Sequence, residues 1–152
     1  MPLRERISAA LKDALRRKEP HRLSTLRLIN AAIKDRDIAR RGSGEDGGVS
    51  EAEMLTILGR MIRQRQESAR AYEEGGRLEL AEQERDEIAV IEEFLPRQLS
   101  EEETRRAVDA AIADAGAASI RDMGRVMALL KERHAGRMDF AAVGPMVKER
   151  LS

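Results

Sequence analysis

The 152-residue chain is predicted to be all-α. Three observations carry the prediction. Leu, Ala, Glu, Arg and Met, all strong helix formers, are abundant, and runs of β-branched residues are absent. Aromatic residues make up only 2% of the chain: Tyr72, Phe94 and Phe140. Apolar residues recur at helical spacing along most of the sequence, between residues that start or stop helices.

Leu3, Ile7, Leu11 and Leu15, flanked by Ala10 and Ala14, predict a first helix from about Leu3 to Lys18 with one apolar stripe. Pro20 ends that helix or opens the next, because proline suits a first helical turn. The second helix carries Leu23, Leu26, Ile29 and Ile33 and fades near Arg40–Arg41. Residues 42–48, four of them glycine, predict a mobile loop. A P-loop needs a lysine leading into a helix, whereas here Glu45 and Asp46 would repel phosphate. Ser50 and Glu53 form a capping box for a third helix, whose apolar face is Met54, Leu55, Ile57, Leu58, Met61 and Ile62 and which Gly75–Gly76 stop. A fourth helix runs from about Leu78 to Phe94, with Leu80, Ile88, Ile91 and Leu95 on one face.

Pro96 ends that helix and marks a domain boundary. Beyond it, Ser100 and Glu103 open a fifth helix through Ala115, with Gly116 as its C-terminal cap. Ser119 and Asp122 open a sixth, to about His134, which Gly136 breaks. Asp139 caps a last helix to Leu151, with Pro145 inside it at the cost of a hydrogen bond. The expected organisation is a four-helix N-terminal domain over 1–95 and a three-helix bundle over 97–152.

Composition narrows the function. The absence of Cys excludes disulfides, thiol catalysis and cysteinyl metal sites, and fits a cytoplasmic protein. No apolar run approaches a membrane span, and the N-terminus lacks the apolar core of a signal peptide. His21 and His134 lie far apart, without metal-ligand spacing. At the end of the sixth helix, His134 suits the dipole as an imidazolium. The acid run Glu79, Glu82, Glu84, Asp86, Glu87, Glu92 and Glu93 reads as a solvated face rather than as paired catalytic carboxylates. No catalytic, cofactor or metal residue is assigned. The formal net charge is zero but unevenly spread: +7 over 1–41, −8 over 42–95 and +1 over 96–152.

The basic residues carry the functional expectation. Arg27, Lys34 and Arg41 recur every seven residues on the second helix, and Arg63 and Arg70 do so on the third. Such stripes can track phosphates; pairing with the acidic fourth helix explains the same residues. In the last third, Gly124 leaves a gap on a helix where another backbone can approach. Arg125, Lys131, Arg133 and Arg137 can surround that gap, near Gly136. Helix packing at Gly124 and a C-cap at Gly136 are the structural alternatives.

Several linked motifs carry a resemblance. They are Leu26-Arg27-Leu28-Ile29-Asn30-Ala31-Ala32-Ile33-Lys34, Tyr72-Glu73-Glu74-Gly75-Gly76-Arg77, Glu92-Glu93-Phe94-Leu95-Pro96, Met123-Gly124-Arg125-Val126-Met127 and Gly136-Arg137. Together they resemble the GatB/YqeY family over nearly the whole chain. The last third is similar to the C-terminal tail domain of the B subunit of glutamine-dependent aminoacyl-tRNA amidotransferase. Lys131-Glu132-Arg133, where many members have Met-Pro-Lys, and Pro145 depart from the pattern. The resemblance implies a tRNA-contacting tail without the amidotransferase active site. It also implies an association with a carbon–nitrogen ligase that uses glutamine as amido donor. The expected partners are tRNA or a tRNA-modifying or translation-related protein. The rival readings are a protein adaptor that binds no RNA and an accessory of an amidotransferase complex.

Overall fold

The computed structural model describes residues 1–44 and 48–152. The expected mobile loop therefore lies partly outside the described residues. Among those described there are seven α-helices and no strand. The chain divides into two compact units, Met1–Leu95 and Pro96–Ser152.

The first unit holds α1 (Leu3–Arg16), α2 (Pro20–Gly42), α3 (Glu51–Glu74) and α4 (Leu78–Glu92). Its core is aliphatic: Leu3 and Ile7 of α1, Leu26, Ile29 and Ile33 of α2, Met54, Leu58, Met61 and Ile62 of α3, and Ile91 of α4, with Phe94 just beyond. Leu15 is not in it; it is 60% exposed, and Ala14 is buried in its place. A four-residue repeat advances about 40° beyond a full turn at each step, so by Leu15 the stripe has drifted roughly 120° from Leu3. α4 ends two residues before the expected Phe94. Its final turn tightens, Phe94 N–H bonding to Ile91 O and Leu95 N–H to Glu92 O, both at 3.1 Å, ahead of the Pro96 barrier.

Three helices end in the same way, with one residue in the left-handed region and paired hydrogen bonds back into the last turn. After α3 that residue is Gly76 (φ +74°), with Arg77 N–H on Tyr72 O at 2.7 Å. After the fifth helix it is Gly116 (φ +61°), with Ala117 N–H on Ile112 O at 3.1 Å. After α1 it is Lys18 (φ +56°), with Glu19 N–H on Ala14 O at 3.0 Å. A lysine side chain there is strained, and the sequence gives no glycine to announce the turn.

Two polar ties hold the first unit at its ends. Asp37 accepts from Arg4 Nη2 at 2.8 Å and from Val49 N–H at 2.7 Å, joining α1, α2 and the entry to α3. Both bonds, the arginine first, hold the Asp37 carboxyl below its ordinary value. A Cβ at Gly48 would lie 3.1 Å from Arg4 Nη2 and from Asp37 Oδ1, so the chain passes close to this pair. At α4's end, Arg22 pairs with the Glu93 carboxylate, while Arg6 donates to Glu93 O at 3.0 Å and lies 5.7 Å from the centroid of the Phe94 ring. Only half of the expected box at Ser50 forms: Ser50 Oγ accepts from Glu53 N–H at 3.2 Å. The Glu53 carboxylate instead meets Arg36 and Arg40 of α2.

The second unit holds α5 (Glu101–Ala115), a 3₁₀ turn (Ile120–Asp122), α6 (Met123–Arg133) and α7 (Phe140–Leu151). Val108, Ala111, Val126, Leu130, Met138, Val143, Val147 and Leu151 form its core. At Ser100 the capping box is complete. Ser119 and Asp122 open the 3₁₀ turn rather than α6 itself. α7 runs unbroken through Pro145. Val143, Val147 and Leu151 face the core, and Pro145, two residues from Val143, is turned about 200° from it toward solvent. The bond that proline cannot make is to Ala141 O, on an exposed residue, where water can replace it.

Left-handed strain at a non-glycine residue costs roughly 1–2 kcal/mol, and the extra freedom of an unfolded glycine returns about half of that. Lys18→Gly is expected to raise the unfolding free energy by up to about 1 kcal/mol. Lys18→Val is expected to lower it by at least a similar amount, since β-branching disfavours this region most. Urea titration of both variants against the parent chain checks the pair.

Candidate functional site

Four of the six residues singled out in the second unit lie on α6, where each step turns about 100°. Val126 and Leu130 define its buried face. Gly124 and Lys131 share the outward face, about 20° apart, whereas Arg133 lies about 180° from Gly124. The residues around Gly124 therefore do not ring a gap. Gly124 is exposed, and a Cβ there would meet nothing within 4 Å. No neighbouring backbone of the unit approaches it, so it is not a helix-packing glycine.

Three of the arginines have partners in the unit. Arg125 Nη2 pairs with Asp122 Oδ1 at 2.7 Å. Asp122 Oδ2 in turn accepts Ala118 N–H at 2.9 Å and Ser119 N–H at 3.3 Å. These backbone donors, led by Ala118, join Arg125 in holding the Asp122 carboxyl below its ordinary value. Arg133 Nη2 reaches Asp114 Oδ2 at 2.8 Å, tying α6 to the end of α5. Arg137 clamps the turn after α6 against residues 97–99. Its Nε donates to Arg97 O at 2.9 Å, its carbonyl accepts Leu99 N–H at 2.9 Å, and Gln98 Nε2 donates to Gly136 O at 2.5 Å. Gly136 permits the turn at φ +75°. Arg97 also forms a two-point pair with Glu103, both contacts at 3.0 Å. That pair and the Ser100 hydrogen bonds hold the Glu103 carboxyl down to about 2. Lys131 is exposed and has no ion pair among the described residues.

His134 departs from the sequence expectation. Its Nδ1 is buried without a hydrogen-bond partner. Burial, with Arg137 and Arg133 nearby, pushes its pKa below the ordinary value. The helix dipole favours an imidazolium here, but desolvation and the two guanidiniums prevail and shift the ring toward its neutral form.

In the first unit, Arg27, Lys34 and Arg41 are all exposed on α2, and none has an ion pair among the described residues. Arg41 lies close enough to Asp37 to help lower that carboxyl, whose charge Arg4 already meets. Arg63 and Arg70 are exposed on α3, but Glu67 lies between them, four residues after one and three before the other. The acidic α4 is met instead by Arg65, outside the stripe, whose Nε bonds Glu87 Oε2 at 2.8 Å. Arg85 of α4 pairs with Glu73 at the end of α3. Arg65 belongs to the half-buried flank of α3, which a search for an outward stripe passes over. Beside these residues is a shallow open groove of about 190 Å³ lined by Gln66, Ala69, Arg70, Glu73, Arg85 and Ile88. No group of three His, Asp or Glu residues among those described is placed to hold a metal ion. No helix among the described residues is long and apolar enough to cross a membrane.

A family model described as "Yqey-like protein" matches residues 4–151. The chain is 35% identical over 86 residues to "Altered inheritance of mitochondria protein 41, mitochondrial" of Clavispora lusitaniae (strain ATCC 42720). That stretch is 56% of this chain and 46% of the relative, so the match spans about half of the relative's length.

Two outcomes follow from the clamp and the half-buried histidine. Arg137→Ala is expected to lower the stability of the full chain by about 1 kcal/mol, the size of an ordinary net hydrogen bond, as read by urea unfolding. His134 has a folded pKa below its unfolded value of 6.5, so its contribution is complete above that value and is lost as pH falls. Acidification from about pH 8 to about pH 5 should therefore destabilise the parent chain more than His134→Gln. The Glu103 contribution is lost separately, between its ordinary 4.5 and about 2. Denaturant midpoints measured across this range distinguish the two windows.

Proposed function

Since this chain belongs to the YqeY-like family, we propose that it acts as a non-catalytic helical module that binds tRNA or a protein carrying tRNA. Residues 1–95 and 97–152 serve as two separately folding domains in this reading. The second acts like the tail of the amidotransferase B subunit that it resembles. The observation that carries the reading is on α2: Arg27, Lys34 and Arg41 are exposed and have no ion pair among the described residues. Lys131 of α6 adds one more such cation. With aromatic side chains at 2%, stacking contributes little, and recognition rests on charge and backbone shape. Any carbon–nitrogen ligase chemistry with glutamine belongs to a separate subunit, with this chain as its accessory.

The adaptor reading draws on a different observation. Leu78 at the start of α4 and Ile120 before α6 are large apolar side chains exposed to 67% and 46%. A protein docking there would need no RNA.

The full chain is expected to retain a tRNA transcript at low salt, with log K falling linearly as log salt rises. Supplied with glutamine and charged tRNA, the chain alone should release no ammonia and form no amidated product. A partner captured equally well after nuclease treatment, with no tRNA retained at low salt, would move the assignment to the adaptor.

A further inference from the structure

α2 differs from every other basic segment in how its charge is arranged. Among the described residues, eight arginines of the first unit are neutralised locally: Arg4 by Asp37, Arg16 and Arg17 by Asp13, Arg22 by Glu93, Arg36 and Arg40 by Glu53, Arg65 by Glu87 and Arg85 by Glu73. Free cations on α3 share their face with Glu67 and Glu74. On α2, by contrast, Arg27, Lys34 and Arg41 follow one another at seven-residue intervals within about 40° of one line. They cover roughly 21 Å of helix. Asp35 lies about 100° away from Lys34, and Asp37, which flanks the strip about 40° from Arg41, has its carboxylate engaged by Arg4 and Val49.

The same strip contains an exposed apolar residue. Ile38 lies about 40° from Lys34 and 60° from Arg41, and it is 64% exposed. Ala31 lies one turn before Lys34 on the same side. The outer face of α2 thus alternates cation and aliphatic contact, while its inner face, Leu26, Ile29 and Ile33, is fully committed to the core.

Resting on the tRNA reading above, the geometry points to α2 as the element that holds the RNA. One strand's sugar–phosphate backbone follows Arg27, Lys34 and Arg41, and Ile38 packs against a ribose or an unstacked base. A polyphosphate chain suits this strip better than an acidic protein helix does. Its charges recur at short, even intervals, so a cation every roughly 10 Å finds one in any register. An acidic helix must place its carboxylates to match. A single-stranded or loop segment fits best, because only there can a base leave its stack to meet Ile38. Arg125, Arg133 and Arg137 of the second unit, which have partners at Asp122, Asp114 and Arg97 O, contribute little in this assignment.

The test uses the full chain, a fluorescently labelled tRNA transcript and anisotropy titrations over a range of NaCl concentrations. The triple variant Arg27→Gln, Lys34→Gln, Arg41→Gln should lose at least about tenfold in affinity at low salt. Its salt slope should flatten by roughly 2–3 units, one phosphate per lost cation. Ile38→Ala should weaken binding about threefold with an unchanged salt slope, because it removes apolar contact rather than charge. Arg63→Gln with Arg70→Gln should change affinity less than twofold. Circular dichroism melts should match the parent for each variant, since all of these side chains are exposed. If the parent binds tRNA and the triple variant keeps its affinity and slope, α2 is not the site, although the tRNA reading stands. If the parent does not bind tRNA at low salt, the reading and this assignment fall together. Equal competition by polyglutamate and by oligouridylate would also overturn the assignment, in favour of an acidic protein partner.

Discussion

Burying narrow aliphatic stripes without aromatic bulk is the constraint on which the rest of this structure depends. Leu26, Ile29, Leu58 and Ile91 are completely inaccessible in the first unit, as are Val108, Val126, Leu130 and Val147 in the second. Each removes only a few methylenes from water, about 0.8 kcal/mol apiece. Such cores hold when the helices approach closely. Small residues at the contacts, Ala14, Ala69 and Ala81 in one unit and Ala111 in the other, permit this. Phe94, beneath the Arg6 guanidinium, is the one aromatic side chain that is fully part of a core.

Cores this thin leave the helix ends to be fixed by polar groups. Asp37 joins three segments through Arg4 and Val49 N–H, and Glu93 draws Arg6 and Arg22 to the end of α4. In the second unit the turn after α6 pairs with residues 97–99 through Arg137, Gln98 and Leu99. Three of these ties, Asp37 on Val49 N–H, Arg6 on Glu93 O and Arg137 on Arg97 O, are hydrogen bonds between a charged side chain and a backbone group, which are stronger than exposed ion pairs. They explain why residues that look basic and available in the sequence are already engaged in the fold.

That engagement gives the surface its functional logic. A cation beside a carboxylate presents little field to a distant phosphate, whereas an unpaired one attracts it through the first Debye length. Arg125 and Arg133 belong to the first kind, and Arg27 and Lys34 to the second. The uneven charge along the chain is thereby sharpened, because α4's acids are met partly by Arg65 and not by the outward face of α2.

The elements and their punctuation are legible from local sequence. Pro20, Ser50, Gly76, Pro96, Ser100, Gly116 and Asp139 each act on the backbone within a turn of their own position, so their effects are readable locally. Gly124 and Arg125 were also legible as a helical segment, but their roles were not. Whether a glycine packs, whether an arginine has a carboxylate at 2.7 Å, and whether a histidine is desolvated depend on which residues other helices bring near. Lys18 shows the same limit from the other side. The hydrogen bonds that close α1 force a left-handed residue there, and no glycine signals it. The Ser50–Glu53 box forms only in half for a related reason: Glu53 meets arginines more than ten residues away. Periodicity assigns a residue to a face; only the packed structure decides what that face meets, because electrostatic and packing energies depend on distance in space and not along the chain.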